Sequence, residues 1–143
     1  MCVCFRHRNF LKRSMDMTLP SQNMLKDSII PVILGDNLSA HLLALKIFFR
    51  FGVISYVCDV KRSPLSFIDP CTRHFPLFSK SRGGVVLESL AYLSSSPDYL
   101  LLLVCCDEEL DAVTEQNRNY IEARFIITDK EALFKDSPLS KLL

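Results

Sequence analysis

The segment Gly35-Asp36-Asn37, directly after the apolar run Ile29 to Leu34, is where residue types and spacing in this chain first suggest chemistry. A glycine turn between a buried strand and a helix presents backbone N–H groups and a helix N-terminus, a combination suited to an anion such as a phosphate. The turn Gly35-Asp36-Asn37-Leu38-Ser39-Ala40 supplies the first glycine and the small third residue of the dinucleotide fingerprint G-x-G-x-x-G/A. Asn37 stands where the second glycine would let the backbone approach a pyrophosphate. Asp59 comes about 20 residues later, the spacing of a ribose-binding carboxylate. Three readings are open: a dinucleotide site, a small-ligand or domain contact at the same edge, and a plain strand-to-helix turn capped by Asp36 or Asn37.

A second acidic group, Asp107-Glu108-Glu109, comes just after the most apolar run, Tyr99 to Cys105. On a parallel sheet these residues fall on the same edge as Gly35 and Asp59. The competing reading makes Asp107 a helix N-cap, with Glu108 and Glu109 complementing the helix dipole. Arg73 is suited to bind a carboxylate or phosphate, or to be an ordinary loop cation. Neither a Ser-His-Asp nor a Cys-His arrangement stands out, and no P-loop occurs. The six cysteines form no C-x-x-C pair and show no ligand spacing with His7, His41 or His74, so they read as small hydrophobes rather than zinc or redox groups.

The elements that must position these residues alternate between strand and helix. Residues 29–34 are apolar throughout, as a parallel strand buried on both faces requires. Leu38, Leu42, Leu45 and Phe49 recur at helical spacing, and Leu43, Ile47 and Phe48 widen that stripe into a mostly buried helix ended by Gly52. Strand 53–58, a helical turn over 64–69 stopped by Pro70, and an edge strand over 73–78 limited by Pro76 come next. Gly83-Gly84 reads as a breaker before a helix carrying Val86, Leu87, Leu90 and Leu93, which Ser94-Ser-Ser-Pro97 ends. A central strand over 99–105, a helix over 108–123 with Leu110, Val113, Tyr120 and Ile121 inward, a strand over 124–128 and a short helix over 130–135 complete the pattern; a further element begins at Ser137-Pro138. This order predicts an α/β, Rossmann-like three-layer domain with a mainly parallel sheet.

With 143 residues, 49% of them hydrophobic, one domain with one core is expected, over 28–143. Residues 1–27 have no sustained period and read as a tail or leader. A net charge of +1 gives no field for nucleic acid or a membrane surface, and no run is long enough to span a bilayer. The free-thiol pattern and the lack of a signal-peptide core point to the cytoplasm.

The succession Pro31-Val-Ile-Leu-Gly-Asp-Asn-Leu-Ser-Ala-His, Phe51-Gly-Val-Ile-Ser-Tyr-Val-Cys-Asp, Arg73-His-Phe and Leu103-Val-Cys-Cys-Asp-Glu-Glu resembles the N-terminal, pre-ATP-grasp domain of ATP-grasp carboxylate–amine ligase-like proteins, over residues 29–143. The resemblance implies a ligase in which ATP phosphorylates a carboxylate and an amine attacks the acylphosphate. It implies that ATP and magnesium are held by lobes beyond this domain, about where the chain reaches Leu143, so that the domain alone is not a ligase. The expected partners are those lobes, in the same gene product or a separate chain, with a homodimer possible. The positions matching the family's substrate-side loops are Gly35, Asp36 and Asn37, then Asp59, then Asp107 and Glu108; Arg73 is a further candidate contact. A stand-alone ligand-binding or regulatory module is the alternative. The ligase reading predicts an apolar docking surface to which Leu139, Leu142 and Leu143 could belong.

Overall fold

The computed structural model describes residues 28–79, 83–95, 98–135 and 138–142. The expected tail over 1–27, the ends of the Ser94–Pro97 and Ser137-Pro138 breaks, and Leu143 fall at least partly outside these residues. The strands are β1 (Ile29–Leu34), β2 (Ser55–Asp59), β3 (Thr72–Pro76), β4 (Leu100–Cys105) and β5 (Ile126–Ile127). The helices are α1 (Leu38–Phe51), α2 (Leu65–Ile68), α3 (Gly83–Leu93), α4 (Glu108–Gln116), α5 (Arg118–Glu122) and α6 (Ala132–Lys135), and a 3₁₀ turn spans Pro138–Leu142. The five strands form one all-parallel sheet in the order β3-β2-β1-β4-β5. Helices cover both faces, and the chain adopts the expected α/β Rossmann-like three-layer arrangement.

Alternation along the strands divides the core. Ile29, Ile33, Val57, Leu102 and Val104 face α1 and the C-terminal turns, joining Leu43, Ile47, Phe51, Leu133 and Leu139. Val32, Leu34, Tyr56, Cys58, Leu101 and Leu103 face the other way, meeting Val86, Leu90, Leu110 and Ile121 of α3 to α5. Because both faces are covered, β1 and β4 need no polar face, which explains their uninterrupted apolar sequences. β3 is an edge strand, and Pro76 is its last residue, where a missing N–H costs least.

Several expectations are corrected. The inward face of α1 is Ala40, His41, Leu43, Ala44, Ile47 and Phe51, whereas Leu38, Leu42, Leu45, Phe48 and Phe49 are exposed. The small residues Ala40 and Ala44 allow the helix axis to approach the sheet closely, which the bulkier stripe would prevent. Gly83-Gly84 opens α3 instead of breaking the chain. A first helical turn leaves its N–H groups unpaired in any case, so glycine is tolerated there while Val86 and Leu90 anchor the rest of the helix. The single helix expected over 108–123 divides at Asn117, whose backbone (φ −120°, ψ 28°) is not helical and whose Nδ2 donates to the Val113 carbonyl at 2.9 Å. This break turns Tyr120 outward. The last strand shortens to two residues, while β4 is an interior strand, as expected, paired with β1 and β5. Leu139 is fully buried in the core beneath α1 and contributes nothing to an exposed docking surface.

Candidate functional site

In a sheet of this order the connections from β1 and β4 lead to opposite sides, and a crevice opens between the carboxyl ends of these two strands, the usual ligand position in such folds. The β1–α1 turn reaches it through Gly35, whose φ of +116° favours glycine. A Cβ at that position would lie 3.1 Å from the Asp107 Cβ, so glycine is also needed for close approach. The Gly35 N–H donates to the Cys58 carbonyl, and the Cys106 N–H donates to the Leu34 carbonyl, each at 2.8 Å. Turn and neighbouring strands are thereby locked together.

Asn37 occupies the crevice itself. Its Oδ1 accepts from the Ala40 N–H at 2.9 Å, making Asn37 the cap of α1, and its Nδ2 donates to the Cys106 carbonyl at 2.7 Å. The amide therefore bridges the β1 and β4 loops where a pyrophosphate would need open backbone. Across the bridge, the Asp107 carboxylate accepts from the Leu110 N–H at 3.2 Å and caps α4, with Glu108 and Glu109 exposed in the first turn. That is the dipole-complementing arrangement.

Asp36 turns away from the crevice and is wholly buried; its side chain has 0% exposure. Its oxygens accept from the Ser63 N–H and the Ser63 hydroxyl, both at 2.8 Å, and from the Ser66 hydroxyl at 2.6 Å, and they meet His41 Nε2 at 2.5 Å. His41 Nδ1 lies 2.6 Å from Asp69 Oδ2, and Asp69 Oδ1 accepts from the Cys71 N–H at 2.8 Å. The Asp36 N–H donates in turn to Asp59 Oδ2 at 3.2 Å, and Asp59 Oδ1 accepts from the Val60 N–H. One cluster thus ties the β1–α1 turn to the whole β2–α2–β3 connection. Burial pushes the Asp36 carboxyl upward, but the Ser66, Ser63 and His41 hydrogen bonds outweigh it and hold the group below its ordinary value. Burial lowers His74, whose Nε2 is 3.9 Å from Asp36 Oδ2; the attraction of that carboxylate only partly offsets the burial.

Ser66, His41 and Asp69 have the composition of a nucleophilic triad, with Ser66 Oγ 3.5 Å from His41 Nε2. The geometry does not support that chemistry. Asp36 is closer to both groups, accepts the hydrogen bond of the serine hydroxyl and faces the imidazole nitrogen that a general base would use. Ser66 is also buried. No sequence signal brought these residues together, because His41 lies on α1 and Ser66 and Asp69 lie on or next to α2, 25 and 28 residues away.

The structure places Gly35, Asp36, Asn37, Asp59, Asp107 and Glu108 along one edge of the sheet. Arg73 is not among them. It pairs with Tyr56 early in β3, while Asp59 pairs with Pro76 at the far end, and its guanidinium donates to the Thr72 carbonyl. The open space lies to either side of the closed crevice. One cleft of about 640 Å³, beyond β2 and β3, is lined by Asp59, Lys61, Arg62, Ser63, Phe78 and Glu109. Another of about 700 Å³, beyond β4 and β5, includes Cys105, Asp111, Glu115, Arg118 and Lys130. Sequence reasoning missed Lys61 and Arg62 as cleft residues, although they follow closely on the end of β2; Glu109 belongs to the acidic group that the sequence places on this edge.

The side chains at this edge are not arranged as a magnesium site. Among the described residues no group of three or more His, Cys, Asp or Glu side chains is arranged to hold a metal ion. The buried Asp36 carboxylate is already engaged by Ser63, Ser66 and His41. Nor do the thiols resemble nucleophiles: burial raises Cys58, Cys71 and Cys106 and pushes Cys105 up to about 11, so all four remain protonated near neutral pH. No described helix is long and apolar enough to cross a membrane. Compared with known proteins, the chain matches no family model, no curated protein and no solved structure.

Proposed function

We propose that this domain is the substrate-side, N-terminal part of an ATP-grasp carboxylate–amine ligase-like protein of the cytoplasm, forming one wall of the substrate cleft while other lobes hold ATP and magnesium. The observation that carries the reading is the cleft beyond β2 and β3, where Lys61 and Arg62 stand with Asp59 and Glu109. Cations there suit a substrate carboxylate, and the acids suit an ammonium group. The domain's part in the reaction is binding and orientation, since its own buried carboxylates are committed to the fold. Arg62 is partly pre-positioned for such a contact: it packs 4.1 Å from the Phe67 ring centroid and donates to the Ser66 carbonyl. A second reading is a stand-alone module that binds a small amino acid or carboxylate in the same cleft.

The test is titration of the full ¹⁵N-labelled chain with a panel of amino acids and dicarboxylates, and separately with ATP and magnesium. The proposal expects shifts at residues 59–63 and 109 with an acid, at a dissociation constant near about 1 mM, because one wall supplies only part of the binding energy. Micromolar binding by the isolated chain would favour the stand-alone module. No shift at these residues with any acid, or ATP–magnesium binding at residues 35–37, would overturn both readings of the cleft.

A further inference from the structure

The outer face of α1 presents Leu38, Leu42, Leu45 and Phe49 to solvent, with Phe49 78% exposed, Leu38 62% and Leu42 53%. Single exposed apolar residues are ordinary; a row of them along successive turns of one helix is not. The row forms one wall of a groove of about 1150 Å³ whose other wall is α6, with Phe134 beside it. Phe134 is stacked on Phe51 at 5.7 Å between centroids, so the groove's second wall is anchored in the core. Lys46, Arg50, Lys130 and Lys135 line the groove against one acid, Glu131. Lys46 and Arg50 each lie 5.8 Å from the Phe134 ring centroid, leaving both cations at the groove rather than directed away from it. None of these residues lines the cleft beyond β2 and β3.

From the apolar wall and the charge of the rim we infer that this groove docks an amphipathic helix of a protein partner, one whose apolar stripe is flanked by Glu and Asp. Helix-in-groove recognition uses anchors at i, i+3 or i+4 and i+7, and the spacing of Leu38, Leu42, Leu45 and Phe49 offers the matching row. Four cations against one anion favour acidic flanks and disfavour basic ones. The basic segment 1–27, with five Lys and Arg against two Asp, has the wrong charge to be the occupant. A lipid surface would also be attracted by the cations, but it requires apolar residues on a projecting face, whereas these line a concavity. The inference does not depend on the ligase reading of the other edge.

The experiment uses the full chain and a synthetic peptide of about 20 residues, long enough for a stable amphipathic helix, with Leu at helical spacing and Glu flanks. A control peptide carries Lys in place of Glu. The expected result is that the Glu peptide binds, that its contacts map to α1 and α6, and that the Lys peptide binds at least about tenfold more weakly. The double substitution Leu42→Ser and Phe49→Ser should weaken binding more than about tenfold. Should that variant fold poorly, Lys46→Glu with Lys135→Glu leaves the apolar wall intact and should reverse the preference between the two peptides. Equal binding of both peptides, binding of neither, burial of this face in a self-dimer seen by sedimentation, or preferential partition onto anionic vesicles would each overturn the inference.

Discussion

Along α1, Ala40, Leu43, Ala44 and Ile47 lie against the sheet, while Leu38, Leu42, Leu45 and Phe49, displaced by one or two positions, face outward. Both rows have helical spacing, and the outer row is the bulkier. Hydrophobic size therefore did not select the buried face; fit did. A helix crossing a parallel sheet packs closely where its side chains are short, and with two alanines at the contact Ile33, Val57 and Leu102 share one buried cluster with Leu43 and Ile47. His41 belongs to the inner face too, but it lies in the first helical turns, where the sheet ends and Asp36 and Asp69 can satisfy its two nitrogens. The inner face thus joins apolar packing to a satisfied buried polar cluster, and the outer face has neither.

Substitutions on the two faces should accordingly differ by several kcal/mol. The largest effect is expected for Asp36→Ala, which removes the shared acceptor of Ser63, Ser66 and His41 from a buried site. Each buried donor left without its acceptor costs about 1–3 kcal/mol, and the sum is measurable as a shift in the urea unfolding midpoint. A cost below about 1 kcal/mol would mean that water replaces the carboxylate and that the cluster does not hold the turn to the β2–β3 connection. Ile47→Ala, which leaves a cavity between helix and sheet, should cost about 3 kcal/mol in the same measurement.

Acid should weaken the inner side next. The folded pKa values of both His74 and Asp36 are lowered, so in each case the unfolded chain binds the proton more readily. The His74 contribution is complete above its ordinary value of 6.5 and is lost as pH falls through its folded value. The Asp36 contribution is complete above its ordinary value of 3.8 and is lost below it in the same manner. The melting temperature should therefore fall in two stages between pH 7 and pH 3, and His74→Gln should abolish the first. A melting temperature independent of pH down to 5 would contradict this account of His74.

The smallest effect belongs to the outer face. Leu42→Ala should change stability by no more than about 0.5 kcal/mol, the range of ordinary surface substitutions. A cost comparable with that of Ile47→Ala would show that the outer row is already covered in solution, and the contrast between the faces would no longer hold.

Much of the fold was legible because its signals were local. The apolar blocks at 29–34 and 100–105, Gly52 at φ +69° ending α1, and Pro76 at the margin of an edge strand each depend on a few adjacent residues. The turn at Gly35 was readable for the same reason, as were Asp107 as a helix cap and Asn37 as an obstacle at the second glycine position. Ser63 and Ser66 were not readable as partners of Asp36, nor Asp69 as the partner of His41, since neither a serine nor a carboxylate gives a local sign of which distant group it meets. The distance of Arg73 from the carboxyl edge was not readable either, because position within β3 depends on strand register, which begins with Ser55 opposite Thr72.

By itself, then, the sequence determined the kinds of elements, their order and the turn at the carboxyl end of β1, since periodicity, glycine stereochemistry and capping act over a few residues. Only the tertiary structure decided which apolar row of α1 went inside, that Leu139 joined the core, and that Asp36 was committed to the fold rather than to a ligand. Those outcomes depend on side-chain volume and on donors brought together from distant segments, and neither is fixed until the sheet, helix and loops are packed.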